Sequence, residues 1–431
     1  AFDKAVALQP TLLAALRNLV QLDLVEGKPE AAKARMEAVL AKDPKNIDAI
    51  ATLADLALAR NQTAEATGWL EKANDANPDA IMPALRLGAH YLRINQAQKA
   101  LTLARKYQTG HPTDVGLLDL LGQSQLATND MNGALDTYSK LSKLSPKSAA
   151  AQMRLAAVYE KLKNEKGAID SIKLAAELEP GFVPARTAQI KVALRAGKVD
   201  EALAVARDLQ KRDAKSAAGF ALEGDILASQ KKFVQAVPAY QQALQRAESS
   251  ELALKLAQVM KQAGREKDVT PFLTDWQKRH PQDLLVTMYS AESRLANKDY
   301  KGAITLLEGI LKQKPGLPAA LNNLAWAYQQ EKDPRALATA EKALQVASDN
   351  PSVMDTLGWM LIEQGNTARG VPLLQKAVAK APEAAEFRYH LAVGLNKAGD
   401  KAAARKELDT LLAKNKSFAQ VKEAEALLKL L

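Results

Sequence analysis

Two of the four tryptophans of this 431-residue chain stand in closely similar motifs, LNNLAWAY with Trp326 and DTLGWML with Trp359. Each ring directly follows a small residue, and polar groups recur around it at helical spacing. Asn322 and Gln329 accompany the first ring, Asp355 and Glu363 the second; Tyr389 takes the place of Asn322 and Asp355 further on, with Glu386 three residues before it. Flat rings flanked by amides and carboxylates suit a sugar, whose C–H face lies on the ring while its hydroxyls bond the polar groups. They suit a peptide with an apolar anchor equally well. Packing between neighbouring elements is the third reading, and all three stay open at this level. Trp69 and Trp276 read as packing.

Reaction chemistry finds less support. There is no Gly-rich phosphate loop, nucleophile elbow or paired-histidine metal motif. The four histidines are scattered. His111 and His280 each precede a proline and read as helix C-terminal residues, favoured there by the dipole. His90 and His390 lie far apart along the chain. The absence of cysteine excludes disulfides and thiolate metal sites. Carboxylates abound on helix surfaces, but none stands apart in apolar surroundings that would raise its pKa, so no catalytic dyad is expected. The expectation is a non-enzyme with no metal and no cofactor. The net charge of +10 is spread through interleaved acids and bases, which points to a solvated mixed surface and away from nucleic acid. No apolar run approaches the ~18 residues of a membrane span.

A strict repeat must position these residues. Prolines recur every 34 residues at Pro10, Pro44, Pro78, Pro112, Pro146 and Pro180, and again at Pro281 and Pro315. Nine or ten residues after each comes leucine followed by a small residue, as in Leu53-Ala54, Leu87-Gly88, Leu121-Gly122, Leu357-Gly358 and Leu391-Ala392. A second small residue follows twelve later, for example Ala66, Ala100, Ala134 and Ala404; Ala336 arrives one residue early. Between the two lies a turn residue able to adopt left-handed backbone: Gly27, Asn61, Asn95, Asn129, Gly197, Gly264, Asn297, Gly365 or Gly399. The pattern predicts two antiparallel helices per unit, approaching closely where side chains are small and ended by the proline. Pro238, Pro271 and Pro372 share one place, expected within the first turn of the second helix. Ile190 and Val20 hold the first small place with larger side chains; Ile190, and Val269 at the second small place, should splay their helices, as tolerated drift or as a hinge.

The period and small-residue pattern resemble the tetratricopeptide repeat (TPR). The resemblance implies an all-α, right-handed superhelix of about twelve units over residues 11–416. Residues 1–10 would end a truncated preceding repeat, and 417–431 would form a capping helix. Such a start implies the C-terminal portion of a longer polypeptide. Counting the first small residue as position 8, the family pattern puts positions 2, 5, 9, 12 and 13 on the concave face. That set contains Asn322, Trp326, Gln329, Asp355, Trp359, Glu363, Glu386 and Tyr389.

The order LEGDILAS, LNNLAWAY, DTLGWML and FRYHLAVGLNKAGDKAAARKELDTLL further resembles the TPR lipoprotein family of exosortase (PEP-CTERM) and exopolysaccharide gene clusters. That resemblance implies a scaffold whose partners are proteins of an exopolysaccharide or exosortase machinery, with polysaccharide as a further ligand. It also implies a periplasmic, outer-membrane-anchored lipoprotein, the membrane being reached only through an upstream lipid anchor. The competing reading is a general peptide-binding adaptor with no link to polysaccharide.

Overall fold

The computed structural model describes residues 2, 4, 6, 12–415 and 417–431, apart from the side chain of Leu13. The expected end of a preceding repeat at residues 1–10 lies almost wholly outside them. The described residues form helices and no strands. They fall into two compact units, Ala1–Ala214 and Lys215–Leu431.

The first unit stacks six helix pairs: α1 Leu13–Val25 with α2 Pro29–Lys42, α3 Ile47–Ala59 with α4 Thr63–Ala76, α5 Ile81–Arg93 with α6 Ala97–Gly110, α7 Val115–Ala127 with α8 Met131–Leu144, α9 Ala149–Lys161 with α10 Glu165–Leu178, and α11 Val183–Arg195 with α12 Val199–Arg212. The second unit stacks six more: α13 Ala218–Ser229 with α14 Phe233–Arg246, α15 Ser250–Gln262 with α16 Glu266–Arg279, α17 Leu284–Ala296 with α18 Tyr300–Gln313, α19 Pro318–Gln330 with α20 Ala336–Val346, α21 Pro351–Glu363 with α22 Thr367–Lys380, and α23 Ala385–Lys397 with α24 Lys401–Lys414. A single helix, α25 Val421–Leu430, follows. Each unit is an α-solenoid in which a pair packs on its neighbours in sequence.

Local chemistry sets the boundaries. Asn46, Asp114 and Ser148 cap α3, α7 and α9 by accepting a backbone N–H three residues on. Asp130, Asn164, Asp299, Asn366 and Asp400 do the same for second helices. The recurring proline stands one residue past the C-cap, as Pro44 does after Asp43 and Pro281 after His280. Every turn inside a pair holds one residue with positive φ. Glycine or asparagine takes this place in eight turns, and Lys163, Lys231, Lys298 and Lys332 take it in the other four. In the α17–α18 turn the expected Asn297 is a right-handed C-cap at φ −88, and Lys298 carries the left-handed turn at φ 60. Asp299 N–H then reaches Arg294 O at 2.8 Å and Lys298 N–H reaches Leu295 O at 3.0 Å, the double bond of a Schellman ending.

The prolines inside helices differ from expectation. Pro238, Pro271 and Pro372 are each the sixth residue of α14, α16 and α22, one turn beyond the free N–H groups of the first turn. Each therefore forgoes a helical hydrogen bond, and packing offsets the loss.

Small residues bring the two helices of a pair together. Ala54, Ala66, Ala100 and Ala325 are fully buried. A Cβ on Gly370 would stand 2.9 Å from the carbonyl oxygen of Gly358, so α21 and α22 touch backbone to backbone. Elsewhere the space beside the small residue is filled by a ring, as Tyr138 fills it at Gly122 and Tyr240 at Gly224. Trp276 is 1% exposed and donates its indole N–H to Asp283 at 2.8 Å, in keeping with a packing role. Trp69 packs half-buried between two core clusters. Ile190 and Val269 are accommodated at 4% exposure each. Helix α25 sets the buried Ala424 and half-buried Leu427 and Leu428 against Ala392, Leu408 and Leu411, and turns Lys422, Glu423 and Glu425 outward.

Candidate ligand-binding groove

The first helices of neighbouring pairs lie side by side, and polar residues join them at repeated positions. A carboxylate at position 5 or 9 meets a base at position 6 of the next pair. Asp55 meets Arg86, Asp119 meets Arg154 at 2.8 Å, and Asp225 meets Lys255 at 3.0 Å. All of these pairs keep solvent contact, and each contributes at most about 1 kcal/mol.

The fourth member of the series is different. Asp355 on α21 meets His390 on α23, with Nδ1 lying 2.9 and 3.0 Å from the two carboxylate oxygens. Both residues are buried. Burial pushes the Asp355 carboxyl above the ordinary carboxylate range, and its bond to His390 only partly opposes this. A carboxylate in apolar surroundings is therefore present, contrary to the sequence expectation. His390 itself carried no signal as a lone histidine. The carboxylate-to-base register set by Asp55–Arg86 and its relatives was the pattern able to reveal it.

The tryptophans are not free platforms. Trp359 stacks on the His390 ring at 4.2 Å between centroids and 23° between planes. Trp326 meets Tyr300 of the preceding pair edge-on at 5.4 Å. Both rings are half-buried. Tyr389 lies 6.1 Å from His390 and 6.3 Å from Phe418, and burial raises its hydroxyl pKa.

Of the residues expected to share one groove, Asp355, Trp359 and Tyr389 gather around His390. Gln329 donates to Glu363 across α19 and α21. Glu386 is exposed and accepts from Gln420 at 3.4 Å beside α25. Asn322 and Trp326 lie one turn apart on α19, with Trp326 held by Tyr300 and outside the His390 cluster. Three amide carbonyl oxygens along this face, those of Asn322, Gln329 and Gln420, are buried and accept no hydrogen bond within the protein. Such acceptors are costly unless a donor reaches them. The face thus carries half-buried aromatic edges and an exposed carboxylate, with three carbonyl oxygens just beneath it that lack a donor.

Among the described residues no group of histidines and carboxylates is arranged to hold a metal ion. None of the described helices is long and apolar enough to cross a membrane.

Comparison with known proteins agrees with the repeat. Two family profiles, both described as tetratricopeptide repeat, match the chain, one over residues 23–86 and 361–428, the other over 120–181, 187–251 and 288–351. A curated TPR repeat-containing protein of Pseudomonas aeruginosa is 28% identical over 244 residues. That match covers 54% of this chain and 34% of the relative, so the chain spans about a third of the relative's length. Similar solved structures include the Cut9–Hcn1 hetero-tetramer of APC/C, at 12% identity and TM-score 0.42, covering 98% of this chain and 97% of that one. Yeast Tom70 is 15% identical with TM-score 0.41, over 93% and 98% of the respective chains. YrrB, whose title describes a TPR protein with an unusual peptide-binding site, is 17% identical with TM-score 0.33, over 42% of this chain and 95% of that one. With its paired helices, buried small residues and left-handed turns matched by these profiles over most of its length, the chain belongs to the tetratricopeptide-repeat family.

Proposed function

We propose that this protein is a non-catalytic scaffold that binds extended segments of partner polypeptides along the first-helix face of its second unit. The observation carrying this reading is the set of three buried, unsatisfied carbonyl oxygens on Asn322, Gln329 and Gln420. An extended chain is a source of backbone N–H donors for such acceptors, and the edges of Trp326, Trp359 and Tyr389 offer contact to side chains. A sugar is less well served, because His390 already covers one face of Trp359.

The motif order from LEGDILAS to FRYHLAVGLNKAGDKAAARKELDTLL supports partners drawn from an exopolysaccharide or exosortase machinery. With it goes a periplasmic site for a longer, lipid-anchored form. A signal peptide ending in a lipidated cysteine in the complete gene is expected on this reading; a gene without one removes it.

The binding reading is tested by selecting peptides from a random display library on the whole chain and titrating them with tryptophan fluorescence as readout. Saturable binding that weakens roughly tenfold in Gln329→Leu and in Asn322→Leu, while helicity is retained, is the expected result. Binding that neither substitution affects refutes the groove. A saturable response to the source organism's polysaccharide, with none to any selected peptide, replaces the peptide by a glycan.

A further inference from the structure

The junction between α9 and α11 in the first unit lacks a clasp like those between α3 and α5, α7 and α9, and α13 and α15. Position 9 of α9 is Ala157 and position 6 of α11 is Ala188, where Asp55 and Arg86 or Asp225 and Lys255 stand elsewhere. Position 5 is Met153. With alanine at both of these places, and only the long Glu160–Arg195 contact of 3.9 Å at the far end of the junction, the two helices leave a cleft of about 500 Å³. Its walls include Met153, Ala157, Val183 and Ala188, with the buried Ile172 of α10 behind them. A second cleft of about 610 Å³ adjoins it, sharing Glu160, Ile172 and Arg195 and adding Ile169 and Val192.

The rim is cationic. Lys191 and Arg195 border the first cleft, and Lys161 and Lys163 border the second. Among the described residues none forms an ion pair with Lys161, Lys163 or Lys191, and Arg195 meets only Glu160, at 3.9 Å. Glu160 and Glu165 are the two carboxylates of the lining, against four cations. An apolar trench of this size takes a leucine-sized or larger side chain, and its rim attracts negative charge on either side of that anchor.

We propose that the trench between α9 and α11 binds an acidic segment of a partner polypeptide through one large apolar anchor residue. This is a site of the first unit, separate from the acceptors on Asn322, Gln329 and Gln420. Its test involves first-unit residues alone, so its failure leaves the reading of the second unit standing.

The experiment uses the whole chain and a fluorescein-labelled peptide with a single leucine between two runs of aspartate, read by fluorescence anisotropy. Saturable binding is expected, weakened by at least about tenfold when the leucine is replaced by glycine. It falls with added salt. Lys191→Glu with Arg195→Glu reverses the rim and also lowers affinity at least about tenfold. Ala157→Asp with Ala188→Arg restores the clasp found elsewhere, closes the trench and lowers affinity similarly, with helicity unchanged by circular dichroism. No saturable binding overturns the proposal. So does equal affinity for the glycine peptide, or binding that neither double variant weakens.

Discussion

Gly370 and Gly358 are the residues at which a single methyl group decides the packing of a pair. A Cβ on Gly370 would press on backbone, which cannot rotate away as the Tyr138 ring beside Gly122 can. Gly370→Ala is therefore expected to destabilise the second unit by about 1–3 kcal/mol, read as a lower urea midpoint with an unchanged slope. Lys298 offers the opposite case. It holds a left-handed backbone at φ 60 that costs a residue with a Cβ about 1–2 kcal/mol. Lys298→Gly is expected to raise stability by up to about 1 kcal/mol after the entropy of glycine is deducted, whereas Asn297→Gly, at a right-handed position, is expected to lower it. Thermal unfolding of the two variants side by side checks both signs. The small residue at position 358 was legible because it continues a period. The strained lysine was not, since no intrinsic preference marks it and only the register of the other turns points to residue 298.

At the scale of elements, α25 shows what closes a repeat array. A pair exposes an apolar face unless a neighbour covers it, and α25 covers the last one with Ala424, Leu427 and Leu428. Deleting residues 421–431 uncovers Leu408 and Leu411 and is expected to cost roughly 2–4 kcal/mol, from the half-burial of Leu427, Leu428 and Leu431. The loss would be seen first as faster hydrogen exchange in α23 and α24, and protection unchanged there would show that the helix is dispensable. The apolar and charged faces of α25 are visible in its sequence. The interior place of Pro238, Pro271 and Pro372 was misread by one turn, because helix starts are set by caps such as Asn366 and only loosely by composition.

For the whole molecule, the two units carry buried titratable groups of opposite effect. In the first, burial and the nearby Arg93 hold the imidazole of His90 below its ordinary pKa of 6.5 while Thr67 meets its Nε2 at 2.8 Å. The unfolded chain binds that proton more readily, so this contribution is present above the ordinary value and is lost as pH falls below it. In the second unit the carboxyl of Asp355 is raised, so the folded state holds its proton more tightly than the unfolded chain. That contribution is present below the ordinary pKa of 3.8 and is lost as pH rises through the raised value. Acidification from neutrality should therefore loosen α5 and tighten α21 and α23. Hydrogen exchange of the two regions, corrected for intrinsic rates, is expected to show slopes of opposite sign, and parallel slopes would refute the assignment. Asp355→Asn should flatten the second slope alone.

The sequence by itself determined the paired helices, their period, their turns and the family, because small residues, capping groups and prolines act through neighbours a few residues away. It also drew attention to Asn322, Trp326 and Trp359, since the repeat register gives them recurring places on first helices. What each residue does there was decided only by the tertiary structure. Whether a ring is a platform or a packed wall depends on a residue one repeat away, and His390 on Trp359 and Tyr300 on Trp326 supplied that answer. The same holds for the trench between α9 and α11, which arises where Ala157 and Ala188 come opposite each other. Each alanine is unremarkable along the chain, and only their juxtaposition across two helices leaves a space.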